Sequence, residues 1–541
     1  MKKIIFKIII ILSCIVFVFL ALGATMVFIP GANILGVKYV RATSGSVNEI
    51  KQRYAPEGSF KSVSVTADNI PIKLNFVQSY TYSVELNERY NGFSSYTGTP
   101  ELTMEVVDGS LVFKAKEYKP FVYHNRLDEY GLIISVPVYY TGLVNVESRT
   151  SKITVGGLTG QTDTIKLKTT GLITLEDSLS VNNLEITSGG KLIRVNEKCT
   201  IKNNLTIKTT GGSAEVLSPV GGEINFSSNS GKLFFNSANS LVVNTKSGGV
   251  KPTEDGKGVV NAGAEITCNG TAKLTSAGSV VANTNNGDFI FGKAGQENST
   301  PISVSTKNGA IKLLGGYKNA DVTLKTKSGD VEIEKIDAIK ITTTHGRVKL
   351  GSVNNAEITA GSSGVEILDA SESVAISTRG GYIKLGGGES EFNASVIAKT
   401  FGGDVKITSA NGESVSVTTK SGKVNITNST KSSTKYNITT KSGDVKLTDI
   451  NGETTITTNA AVDASISDFN GKVTITAGNR KVNVAVNSPA VYYLESKGKK
   501  ISVPAKKEKV NIYNTSITAK DDKNLLTVKS RKGKITISEN F

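Results

Sequence analysis

Scarcity defines this sequence before abundance does. Tryptophan is absent, aromatics make up only 6%, and there are 11 prolines, three cysteines and two histidines in 541 residues. Two histidines, His124 and His345, are too few for a His-rich metal site, and a His-based catalytic triad has little to draw on. His345 occupies a turn slot filled elsewhere by Ser421 and Ser442. Cys14 lies in an N-terminal apolar run, and Cys199 and Cys268 are 69 residues apart. The calcium-binding Gly-Gly-x-Gly-x-Asp repeat is missing. Gly386-Gly387-Gly388 and Gly402-Gly403 have no following helix of the kind a phosphate loop requires. No cofactor or metal site is expected. Asp330, Asp404 and Asp444 each follow a turn glycine, and Asp521-Asp522 is a loop pair, but none forms the recurrent carboxylate pair that glycoside cleavage needs.

What fills the chain instead is a phrase of eight residues: apolar, any, apolar, any, Thr or Ser, any, any, Gly. It starts at Leu205, Ile224, Leu241, Val280, Ile302, Val322, Ile339, Val374, Val396, Val415, Tyr436 and Leu526. A fixed period near 20 residues marks stacked coils that share one core. Within a copy, Val415, Val417 and Thr419 share one parity, and after the Lys420-Ser421-Gly422 turn Val424 and Ile426 continue it. Alternate residues of a strand face opposite sides, so these five positions point inward. β-branched side chains suit that interior. The inward Thr or Ser hydroxyl can bond turn backbone, and the glycine is expected to supply positive φ.

The predicted fold is therefore all-β: a long single-chain parallel β-solenoid of about 17–22 residues and two short strands per coil. The competing arrangement is an antiparallel sheet of hairpins turning at each Ser-Gly. Coils stack about 4.8 Å apart. That puts Cys199 and Cys268 roughly 15 Å apart, beyond the ~7 Å within which a disulfide closes.

Four segments are expected. Residues 1–30 carry Lys2, Lys3 and Lys7 before the uncharged run Ile8–Ile29, whose 22 residues match a transmembrane helix with a cytoplasmic N-terminus and the bulk of the chain extracytoplasmic. A cleaved signal at Ala21-Leu22-Gly23, or lipid attachment at Cys14, are the rival readings. Residues 31–57 read as a stalk. Residues 58–143 alternate like strands, with hairpin signals at Asn91-Gly92 and Asp108-Gly109, and read as a β-rich cap. Residues 144–541 hold the coils and their C-terminal capping.

Three stretches carry a family resemblance: Gly131-Leu132-Ile133-Ile134-Ser135-Val136-Pro137 leading to Val144-Asn145-Val146-Glu147-Ser148, and the Thr-Lys-Ser-Gly-Asp-Val copies at Thr326–Val331 and Thr440–Val445. In these the chain resembles the bacterial putative-adhesin family of membrane-associated and envelope-stress proteins, over about residues 58–541. The resemblance implies a β-solenoid and brings no catalytic motif.

Charge supplies the remaining signal. Lys and Arg number 63 against 47 Asp and Glu, a net +16. In seven of the twelve copies the residue after the inward Thr or Ser is basic: Lys246, Lys307, Lys327, Arg379, Lys420, Lys441 and Arg531. Stacking lines these along one edge, a stripe suited to an anionic cell-wall or surface polysaccharide, unless Asp330 and Asp444 neutralise it. Nucleic acid is disfavoured by the absence of interleaved aromatics. The expected function is non-catalytic, that of an adhesin-like surface protein in the cell membrane. A sensor or scaffold binding a membrane protein partner is the alternative, and a β-helical polysaccharide-cleaving enzyme the third reading.

Overall fold

The computed structural model describes residues 12–16, 33–34, 37–40, 48–91, 94–97, 101–116, 119–120, 125–126, 131–157, 162–176, 179–254, 257–388, 392–429, 431, 433–468, 471–487, 490–497, 501–504, 512–514 and 524–540. These residues are almost entirely β, in two compact units: Met1–Gly248 with Pro252–Lys257, and Gly249–Lys251 with Gly258–Phe541. Among the described residues no helix is long and apolar enough to cross a membrane. Of the run 8–29 only residues 12–16 are described, as helix, so the expected anchor lies largely outside the described residues.

Within each unit, equivalent strands pair in parallel and in register, which excludes the hairpin alternative. In the first unit Val144 pairs with Ile165, Ile165 with Leu184, Leu184 with Leu205 and Leu205 with Ile224. The second unit runs Val374 to Val396 to Val415 to Tyr436 in the same way. The inward parity holds throughout: Val415, Val417, Thr419, Val424 and Ile426 are all buried. A further copy, starting at Ala356 with one extra residue before Gly364, keeps the register too, with Val365 opposite Val348 and Ile367 opposite Leu350.

The coil has one more side than the sequence suggested. A short third face completes it, pairing Val181 with Ile201, Ile201 with Val220 and Val220 with Ala238 in the first unit. In the second unit Tyr317, Ile336, Val353 and Ala370 continue the same pattern. Two strands per coil is thus corrected to two longer faces and this brief third one.

Residues 58–143 combine hairpins with coil-like stacking. Glu101–Val107 turns back antiparallel onto Ser110–Lys116 through Asp108-Gly109, both with positive φ. Ser62–Ala67 lies parallel to both Ser110–Lys116 and Leu143–Ser148, and Ile72–Val77 is parallel to Gly131–Pro137 and Ile153–Gly157. At the other end of the sequence the coils leave chain order. Leu525–Ser530 sits between Lys472–Ala477 and Val491–Ser496, parallel to each, and Ile512–Asn514 runs antiparallel along the latter.

Candidate functional site

The predicted stripe is built on a turn whose geometry recurs. In nine of the twelve copies the glycine N–H donates to the Thr or Ser hydroxyl three residues back, at 2.7–2.9 Å. This bond satisfies a buried amide and closes the turn, leaving the residue after the Thr to point outward.

The glycine is required for another reason than the one expected. The turn glycines are not in the positive-φ region, which is occupied instead by residues such as Gly386 and Gly387, at 79° and 96°. At the turn, coils approach too closely for any side chain. A Cβ on Gly329 would lie 1.7 Å from the Gly309 carbonyl oxygen, one on Gly422 1.8 Å from that of Gly403, and one on Gly443 1.8 Å from that of Gly422. Backbone packing between coils, and not φ, therefore fixes glycine here.

Each of the seven predicted basic residues is exposed at its own turn. The structure brings two groups of them together. Lys307 and Lys327 are on successive coils, joined by a bond from the Ser328 N–H to the Lys307 carbonyl. Arg379, Lys420 and Lys441 belong to a run of four successive coils whose remaining member is Phe401. Backbone bonds link the run, from the Gly402 N–H to the Arg379 carbonyl, from the Lys420 N–H to that of Phe401 and from the Ser442 N–H to that of Lys420. Thr344 and Gly361 take the equivalent slots between the two groups. The stripe is therefore not one continuous row within the second unit, and Lys246 belongs to the first compact unit. Arg531 lies apart as well, its N–H bonded to the Gly478 carbonyl; its other neighbour is Lys497, whose N–H reaches the Ser530 carbonyl.

Phe401 is 56% exposed, and the Lys420 ammonium sits 4.2 Å from its ring centre. That arrangement draws a cation onto the negative face of the ring. Phe401 and Lys497 escaped the sequence reading because one breaks the basic pattern and the other follows a copy without the glycine. The two turns around Phe401 are bare, since Gly380 and Gly402 carry no side chain beside it.

Among the described residues Asp330, Asp404 and Asp444 make no ion pair with the stripe cations. Asp330 accepts the Arg347 N–H, Asp404 the Lys423 N–H and Asp444 the Ala461 N–H, each at 2.8–3.1 Å and each one coil onward. They extend the backbone ladder. Ion pairs form elsewhere, as in Lys340 with Glu357 on a strand face and Arg347, just after turn Gly346, with Glu366, and the Arg347 guanidinium holds the Glu366 carboxyl below its usual range. Among the described residues none of the seven stripe cations makes an ion pair.

His345 is an exposed turn residue whose N–H bonds the Lys327 carbonyl, as expected for its slot. His124 and Asp521-Asp522 lie outside the described residues. Among the described residues no cluster of three or more His, Cys, Asp or Glu could hold a metal ion. Cys199 and Cys268 are buried thiols outside any disulfide; burial pushes the Cys268 thiol up to about 11, and its Sγ donates to the Gly270 carbonyl at 3.0 Å.

This ladder lies in a segment with recognisable kin. Residues 368–538 match the Toastrack DUF4097 family. The Toastrack match contains the Thr440–Val445 copy, whereas Thr326–Val331 and the 131–148 stretch fall outside it. A putative adhesin from Parabacteroides merdae is similar at 12% identity, over 63% of this chain and 96% of its own, with a TM-score of 0.19. A putative cell adhesion protein from Clostridium sporogenes is 7% identical, over 91% of this chain and 100% of its own, with a TM-score of 0.13. No curated protein matches the chain.

Proposed function

We propose that this is a non-catalytic, membrane-anchored surface protein of adhesin type that holds an anionic surface polysaccharide along the corner formed by Arg379, Phe401, Lys420 and Lys441. One observation carries the reading: these cations stack on neighbouring coils with no carboxylate partner among the described residues, while the nearby Asp404 and Asp444 accept backbone N–H groups. Like charges about 5 Å apart at a wet surface repel by roughly 1 kcal/mol or less, and an anionic chain laid along the row relieves that repulsion. Many weak contacts on one rigid edge give avidity without a deep site. The uncharged run 8–29 after three lysines supports the anchor.

The test is co-sedimentation of the full chain in detergent with insoluble anionic wall polymer at several salt concentrations. Lys420→Glu with Lys441→Glu should abolish binding at low salt and flatten its salt dependence. Unchanged binding would remove the corner as the site. Release of reducing or unsaturated sugar would replace the reading with an enzymatic one.

A further inference from the structure

Away from the basic corner, the 58–143 module holds a cluster of five aromatic side chains. Phe60, Tyr80, Tyr82, Tyr139 and Tyr140 line a cleft of about 490 Å³ together with Lys61. Tyr80 is 85% exposed and Tyr139 50%, and their rings stack at 5.7 Å with 18° between planes. Behind them Phe60 meets Tyr82 edge-on at 5.2 Å, and Tyr82 meets Tyr140 edge-on at 5.8 Å. An exposed aromatic pair beside buried Tyr82 and Tyr140 and half-buried Phe60 is a costly surface to leave in water, in a chain with so few aromatics.

The base is held rigidly. The Tyr140 hydroxyl is shared between the carbonyls of Lys61 and Leu143, at 3.1 and 3.0 Å. Gly142 is needed beneath it, because a Cβ there would lie 2.3 Å from that hydroxyl oxygen. Gly58, at φ +132°, lies on the rim beside the Phe60 ring, 3.6 Å from where its Cβ would be. The cleft is thus formed before any ligand arrives, and its size falls in the range of small-ligand sites, roughly 300–1,000 Å³.

Its chemistry narrows the ligand. Among the described residues no acidic side chain lines the cleft, and the one charged group there is Lys61, which opposes a cationic guest and offsets the attraction of the ring faces. A purely aliphatic guest would strand the tyrosine hydroxyls and those of Ser59 and Thr141. A sugar ring answers both demands: its C–H face packs on the negative face of an aromatic ring, and its hydroxyls exchange hydrogen bonds with the rim. We propose that the Tyr80–Tyr139 cleft is a saccharide-binding site, in which the stacked tyrosines form the platform for one sugar ring and Lys61 favours rings bearing a carboxylate.

This assignment stands independently of the basic corner. The experiment is saturation-transfer NMR and tyrosine-fluorescence titration of the full chain with chitohexaose and hexagalacturonate; the absence of tryptophan leaves tyrosine emission unmasked. Both oligomers should bind, the acidic one more tightly. Tyr80→Ala and Tyr139→Ala should each weaken chitohexaose binding at least fivefold, while Tyr80→Phe retains it and Lys61→Gln removes only the preference for the acidic oligomer. Lys420→Glu with Lys441→Glu should leave chitohexaose binding untouched, which separates this site from the corner. Because Tyr80 and Tyr139 are exposed, their variants should keep the wild-type thermal midpoint. Failure of both oligomers to bind, equal binding by the alanine variants, or binding of benzyltrimethylammonium in preference to either sugar would overturn the proposal.

Discussion

The Gly403 carbonyl oxygen stands 1.8 Å from the point where a Cβ on Gly422 would be. Neither atom belongs to a flexible side chain, so Gly422→Ala cannot be absorbed by a rotamer change. Overpacking of this kind costs about 1–3 kcal/mol, and a backbone contact should sit at the upper end. Gly380→Ala is the internal control, since nothing lies within 4 Å of its Cβ position and its φ is not positive. Urea unfolding should show a clearly lowered midpoint for the first variant and a shift within about 0.5 kcal/mol for the second.

Thr419 is buried, and its hydroxyl accepts the Gly422 N–H at 2.9 Å. Thr419→Val preserves shape but strands that amide, at a cost of about 1–3 kcal/mol. Thr419→Ser should be far milder, because Ser228 and Ser530 make the same bond in their own copies. Hydrogen exchange at the Gly422 amide, faster in the valine variant and near normal in the serine one, checks this directly.

The two cation groups should not contribute equally to polymer binding. Reversing Lys420 and Lys441 interrupts a run of four linked coils, whereas Lys307 and Lys327 are followed by Thr344 and Gly361. Sedimentation at low salt should therefore fall further for the first double reversal than for Lys307→Glu with Lys327→Glu. Equal losses would mean that overall charge, and not the ladder, governs binding.

Alkaline pH should weaken the fold. Burial pushes Cys268 up to about 11 and raises Tyr140 and Tyr317 well above the usual tyrosine range, with Tyr82 and Glu334 adding to the respective shifts. A folded-state pKa above the unfolded one gives stability that is complete below the unfolded value and is lost as pH rises. Unfolded Cys and Tyr titrate near 8.5 and 10, so the urea midpoint should hold to about pH 8.5 and then decline. Tyr317→Phe removes the bonds to the Phe291 and Leu314 carbonyls, lowering stability at neutral pH, but should flatten the decline above pH 10.

Much of the coil was legible because its two longer faces obey a strict parity: Val415, Val417, Thr419, Val424 and Ile426 announce one interior. The third face was not, since Val181 or Ile201 stands in a two-residue strand within an arc of varying length, too short to show a period. Exposure of the seven basic residues followed from the same parity. Their separation into groups did not, because a missing charge at Thr344 or Gly361 gains meaning only when neighbours in space are known. The aspartate acceptors and the Tyr80–Tyr139 stack depend on contacts across coils and hairpins that leave no local signature.

The displaced rung at the C-terminal end has a temporal meaning. Lys472–Val486 is covered by Leu525–Glu539, a stretch synthesised after the strand Val491–Ser496 that ends up farther out. A chain emerging from the ribosome can wind its earlier coils in order, but it must hold residues 491–502 aside until the later stretch arrives. Winding there becomes a threading decision, and a nascent chain that settles 491–496 directly onto 472–477 would have to unwind that error before reaching its final state.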